Sequence, residues 1–214
     1  MKNLKIQIKN FGKYLREISA IVIGVAITLF ASYLLSVKSE KRDMVLYLNA
    51  MKMELEENIK VLEKATEYFQ TSSAYADYLR SNDKESLHDD TIQKYAINCY
   101  TIHTYAFKTN AFEMFKSSGI MRLVSDKELS LAIWDAYADL IKLKEGFDWH
   151  DQIKWDYMKE DFSKIYLDGE IKKMKEIPMY LFYSLGMPYG ILTGCKEALK
   201  TSQEAVGKLG EIRI

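Results

Sequence analysis

The chain has 214 residues, with 30 Lys or Arg balanced by 30 Asp or Glu, ten Gly and two Pro. So few helix breakers, with no alternating strand pattern, no internal repeat and no low-complexity linker, predict an all-α protein. With the basic N-terminal tail set aside the remainder is mildly acidic, which excludes the basic stripe that binding to nucleic acid needs.

Residues 1–17 read as a basic amphipathic helix. Leu4, Ile8, Phe11 and Leu15 share one face, and Lys5, Lys9, Lys13 and Arg16 share another. Such a segment lies on an anionic bilayer surface, so membrane lipid is the first expected partner. Residues 18–37, ISAIVIGVAITLFASYLLSV, contain no charged side chain. As helix they extend about 30 Å, the hydrocarbon thickness of a bilayer, and are read as a transmembrane helix. The basic tail predicts a cytoplasmic N-terminus, an inner-membrane location and a periplasmic body. Lys38, Lys41 and Arg42 on the far side weaken that asymmetry, although Glu40 and Asp43 dilute them. A cleaved signal peptide is the competing reading. The long apolar core and the lack of a small-residue cleavage site favour an uncleaved signal anchor.

Within the span, Ala20, Gly24, Thr28, Ser32 and Ser36 recur every fourth residue. That interval lays small side chains on one stripe, where backbones approach closely and hydroxyls bond across. The stripe predicts a homo-oligomer or pairing with another membrane subunit; the alternative is that these common small residues simply face lipid.

No Gly or Pro interrupts the path beyond Val37, so span and stalk, residues 38–70, are expected to form one helix. Val45, Leu48, Leu55, Ile59, Leu62 and Phe69 keep roughly heptad spacing, with Lys52 interrupting. That pattern fits either an intermolecular coiled coil or an amphipathic helix packed on its own domain. Residues 71–214 are then a helical body. After a short helical piece to Arg80 and a polar loop, a helix is predicted from about Asp90 to Lys108, with Ile92, Tyr95, Cys99, Ile102, His103 and Ala106 on one face. Cys99 and His103 have the spacing of two metal ligands, but nothing completes a site, so core packing is expected and no metal or cofactor.

Residues 109–140 are rich in architectural signals. Asn110 is placed to cap a short helix carrying Phe112 and Phe115, and Gly119 to close it in the left-handed conformation. Ser125 and Glu128 have capping-box spacing ahead of a helix with a Leu129, Ile133, Trp134, Tyr137, Leu140 and Ile141 stripe.

The REISAIVIGVAITL anchor at 16–29, the charged helix after it and NAFEMFKSSGIMRLVSDKEL at 110–129 together carry a resemblance. They resemble a family of bacterial membrane proteins with an E-I…V-I-G span and an A-F-x-x-L-x-S-S-G-x-x-x-L-I-x-D-x-x-L motif in a helical body. The resemblance covers about the first two thirds of the chain, departs at Met114 and Phe115, and implies a cell-envelope location. The family has no established activity, so it implies no functional residues.

Residues 142–168 continue as charged, aromatic-rich helix. The Asp148, His150, Asp151 and Asp156 cluster has acid/base chemistry in its residue types, but solvated carboxylates on a helix surface are the better reading. Ile177 to Cys195 is uncharged yet broken by Pro and Gly, which fits a buried turn or a membrane- or partner-facing surface better than a second span. A last helix is predicted from about Leu192 to Leu209. Cys99 and Cys195 fit a disulfide outside the cytoplasm and two buried thiols equally well.

The leading reading is a membrane-anchored scaffold or accessory subunit of an envelope complex, without catalytic activity. The alternatives are an extracytoplasmic sensor input and an oligomeric pore-forming effector.

Overall fold

The computed structural model describes the backbone of residues 2–82, 86, 90–91, 94–95, 98, 100–168, 179, 182–183 and 185–211, and the side chains of these except 2–13 and 162–168. Among the described residues the continuous helices are α1 (Lys2–Ser81), α2 (Asn110–Ser117), α3 (Lys127–Asp168) and α4 (Met187–Gly210), with a 3-10 turn at Ile120–Leu123, and Asn98 is also helical. The fold is all-α, and no strand occurs among the described residues. The chain divides into two compact units, Met1–Leu46 and Tyr47–Ile214.

The first unit is helix alone. Every large apolar side chain from Leu15 to Leu35 is at least half exposed, the least being Leu34 at 51%. One helix among the described residues, α1, is long and apolar enough to cross a membrane.

In the second unit the stalk stripe turns inward. Leu48, Met51, Leu55, Leu62, Ala65 and Phe69 are buried within the body, so the apolar periodicity serves the chain's own core. Glu54 of α1 meets Tyr137 of α3, and Tyr68 meets Lys154, which makes the two helices parallel. Helix α4 returns antiparallel to both, with Lys208 on Glu128, Thr201 on Asp139, and the Tyr189 hydroxyl on Asp77. Between α1 and α3 the chain runs back along α1. Asn98 and Thr101 lie at Tyr68, Lys108 at Asn58, Ala111 at Glu54 and Phe115 at Tyr47.

Five local expectations need correction. The helix predicted to Lys108 ends before Thr101, and residues 101–109 have no helical structure. Tyr105 and Phe107 are half-buried while Thr104, Ala106 and Lys108 are exposed, the two-residue alternation of extended chain. The β-branched and aromatic run Thr-Ile-His-Thr-Tyr is poor in helix formers, which explains the difference. His103 is therefore exposed, its ring against Tyr68, and outside the core; Cys99 lies outside the described residues. The cap of α3 is Asp126, whose Oδ1 accepts the Leu129 N–H at 3.0 Å, while Glu128 turns to Lys208 instead of closing a box with Ser125. Asn110 begins α2 rather than capping it, and the Ala111 N–H is held from outside by Glu54. Finally, α4 starts at Met187, ahead of the predicted Leu192, because Pro188 in a first turn favours helix rather than ending it. Of the α3 stripe, Leu129, Ile133, Tyr137 and Leu140 are buried, but Trp134 and Ile141 face outward.

Two glycines meet a backbone demand. Gly119 (φ 69°) and Gly186 (φ 76°) occupy the left-handed region, one after α2 and one before α4. A Cβ on Gly186 would also lie 3.0 Å from the Tyr189 ring, whereas one on Gly190 would meet nothing within 4 Å. Gly186→Ala is expected to destabilise the body by about 1–2 kcal/mol, and Gly190→Ala to stabilise it by about 0.5–1 kcal/mol. Denaturation midpoints followed by circular dichroism should move in opposite directions.

Candidate functional site

The chemistry of the body is concentrated at two buried polar stations, both along the return segment. At the first, Glu54 and Asn58 sit one turn apart on the buried face of α1, 8% and 1% exposed. Burying a carboxylate costs several kcal/mol unless its oxygens are satisfied. Here Glu54 Oε1 accepts the Tyr137 hydroxyl at 2.7 Å and Oε2 accepts the Ala111 N–H at 2.9 Å. The carboxylate thus caps α2 from another helix, at the end where the dipole favours negative charge. Asn58 uses both ends of its amide on one residue. Its Nδ2 donates to the Lys108 carbonyl at 2.8 Å, and its Oδ1 accepts the Lys108 N–H at 2.9 Å. Lys108 in turn pairs with Glu57 at the surface, which holds that carboxyl below its ordinary range through a hydrogen bond and charge. Phe112 stacks on Tyr137 at 4.3 Å between centroids and closes the station on its apolar side.

The second station is built on Lys154, whose side chain is completely buried. Its ammonium donates to the Tyr68 hydroxyl at 2.7 Å, the Asn98 carbonyl at 2.9 Å and the Thr101 carbonyl at 2.7 Å, matching its three N–H groups. The rings of Tyr68 and Tyr183 lie 5.4 and 5.9 Å from it, within cation–π range. The Tyr183 hydroxyl also donates to the Asn98 carbonyl. Two turns further along α3, Asp161 is equally buried and accepts the Tyr100 hydroxyl and the Met179 N–H through Oδ2. Both stations tie main-chain groups of the return segment to the long helices.

The Asp148, His150, Asp151 and Asp156 cluster does not converge. Asp148 pairs with Lys144 and Asp156 with Lys159, both at the surface. His150 is buried edge-on between the rings of Phe69 and Phe182, with Nδ1 3.1 Å from Asp151 Oδ1. Among the described residues, no three His, Cys, Asp or Glu side chains are grouped to hold a metal ion. A groove of about 240 Å³ between α3 and α4, lined in part by Glu128, Asp135, Thr201 and Glu204, is crossed by the Lys208–Glu128 ion pair.

Along the span, Ala20, Gly24, Thr28, Ser32 and Ser36 are all exposed, and Thr28 donates back to the Gly24 carbonyl at 3.0 Å. A Cβ added at Gly24 would meet nothing within 4 Å. Arg16 is exposed; the side chains of Lys5, Lys9 and Lys13 lie outside the described residues.

The residues that carry the stations were not foreseen, although their signal was present. Glu54 and Asn58 interrupt the apolar face at i and i+4, and Lys154 and Asp161 interrupt the Phe147, His150, Met158 face at i and i+7. A charged or amide residue inside an otherwise apolar stripe marks a buried polar partner.

Comparison of the chain with family models, curated proteins and solved structures finds no match.

Burial pushes the Cys195 thiol from 9.0 up to about 12. Burial also raises Tyr105, and burial together with the Glu54 hydrogen bond raises Tyr137. A raised acid keeps its proton in the folded chain where the unfolded chain has lost it. The Cys195 contribution is therefore complete below pH 9 and is lost as pH rises toward 12. Urea midpoints should fall across that interval, and Cys195→Ala should flatten the decline. Tyr137→Phe, which leaves one Glu54 oxygen without its donor, should cost about 1.5–3 kcal/mol at neutral pH by the same measurement.

Proposed function

We propose that this protein is a membrane-anchored helical scaffold, or accessory subunit, of a bacterial envelope complex. It sits in the inner membrane through α1, with the N-terminus in the cytoplasm and the body in the periplasm. The observation that carries this reading is the uncovered apolar length of α1. The large apolar side chains from Leu15 to Leu35 are half exposed or more, and lipid or another span is what covers such a length. The exposed Ala20 to Ser36 stripe supplies the close-approach surface for a second span, whether from another copy or from a different subunit.

Two features of the body support the same reading. Its buried titratable groups are occupied in tying the chain to itself, as Glu54, Lys154 and Asp161 illustrate. The three tryptophans, Trp134, Trp149 and Trp155, stand 40–57% exposed on α3, and surface Trp is characteristic of contact surfaces.

Affinity purification of the full-length chain in mild detergent, followed by mass spectrometry and mass photometry, tests the reading. Defined co-purifying membrane proteins, or a discrete homo-oligomer, are expected; a lone monomer at every detergent concentration would sink it. Gly24→Ile should weaken assembly about tenfold or more while leaving the helical content unchanged. A C-terminal reporter active only outside the cytoplasm should be active, and a fluorescent cytoplasmic reporter at the same position should be dark.

A further inference from the structure

We propose that residues 101–109 form a releasable strap, an extended segment that opens as one unit while α1, α3 and α4 remain packed. The strap is fastened at its two ends by side chains. At one end Lys154 and Tyr68 hold the carbonyls of Asn98 and Thr101. At the other, Asn58 holds both main-chain groups of Lys108, and Glu54 holds the N–H of Ala111.

Between these fastenings, from Ile102 to Phe107, no main-chain hydrogen bond joins the segment to the rest of the chain among the described residues. What the middle contributes is side-chain contact: Ile102 packs against the buried cluster around Tyr75 and Tyr183, the exposed His103 ring lies 4.5 Å from that of Tyr68, and two half-buried rings follow. Tyr105 rests on Phe147 at 5.0 Å between centroids, and Phe107 stacks on the same ring at 6.0 Å.

The long helices hold one another through other residues. Leu140 and Leu143 of α3 and Ala198 and Ala205 of α4 are buried, and the Thr201–Asp139 and Lys208–Glu128 pairs cross between these helices. Releasing the strap therefore breaks the hydrogen bonds at its two fastenings and lifts Ile102 and the His103, Tyr105 and Phe107 rings, less than unfolding the bundle, which is the signature of a sub-global opening unit. The surface beneath it is the stacked pair of Phe69 and Phe147, with His150 edge-on to Phe69. The strap is thus a latch over an aromatic patch inside the body. This inference rests on the body's geometry and is independent of the scaffold reading.

Residue-resolved hydrogen–deuterium exchange of the full-length chain in detergent micelles tests it. The readouts are protection factors at Lys108 and Ala111, whose amides are held by Asn58 and Glu54, and at Leu140 and Ala198 inside α3 and α4. Lys108 and Ala111 should be less protected than Leu140 and Ala198 by about 100-fold or more, with a weaker dependence on denaturant. Tyr68→Phe removes one hydroxyl at the opposite fastening and should lower protection at Lys108 by about three- to tenfold, leaving Leu140 and Ala198 unchanged. Equal protection at all four sites in the unmodified chain overturns the proposal. So does a Tyr68→Phe variant in which Lys108 is unaffected, or in which all four sites shift together.

Discussion

A lysine ammonium taken wholly out of water costs several kcal/mol unless each of its N–H groups finds an acceptor. Lys154 meets that requirement with one phenol oxygen and two main-chain carbonyls, and this constraint shapes the body around it. The two carbonyls belong to Asn98 and Thr101, where helical backbone gives way to extended chain. A cation suits such a place, since carbonyls at a helix end lack partners and carry partial negative charge. Lys154 therefore both ends a helix and starts the return along α1. From there the path is held by the Asn58 clasp on Lys108 and the Glu54 contact with Ala111.

Apolar packing alone would leave this return path loosely specified, because buried aliphatic and aromatic side chains tolerate sliding better than hydrogen bonds do. The Asn58 amide removes the freedom: it recognises the N–H and the carbonyl of a single residue, so a shift of one residue loses both bonds. Glu54 adds the same discrimination one turn away, since only a helix beginning near Ala111 presents a free N–H to its oxygen. Such polar contacts add little net stability beyond their own desolvation, yet they select one register among many of similar apolar burial.

Much of the architecture was legible in the sequence because it follows from periodicity. The uncharged run after Glu17, the unbroken path past Val37 and the scarcity of Gly and Pro specify a long helix and an all-α body. Gly119 was legible as a left-handed cap because no other residue type takes that conformation so readily. The misreadings have two physical origins: the start of α4 and the cap of α3 are decided locally, by Pro188 and Asp126, while the others concern positions decided by a partner distant in sequence. At residues 101–109 the poor helix formers of the Thr-Ile-His-Thr-Tyr run act together with side chains that α1 and α3 offer to the backbone, and helical spacing at Cys99, Ile102, His103 and Ala106 carries no trace of those partners. Trp134 and Ile141 fit the apolar stripe of α3 by spacing, yet the neighbouring helices cover only the arc holding Leu129, Ile133, Tyr137 and Leu140. The stations escape notice for a simpler reason: Glu54, Asn58 and Lys154 belong to residue types that usually stand in solvent, so composition alone does not single them out from the other charges and amides.

The cap that Glu54 provides to α2 also bears on how the chain acquires its structure. A helix of eight residues is too short to persist alone in water, where isolated helices under about 12–15 residues are marginal. Its N-terminus is completed by a carboxylate 57 positions earlier in the chain. Because Glu54 precedes Ala111 in the chain, the carboxylate that completes α2 is already synthesised when α2 emerges, and α2 gains that partner only by docking on α1. Among the described residues, the shortest helix of the body thus depends for its first turn on a residue of the longest, which precedes it in the chain.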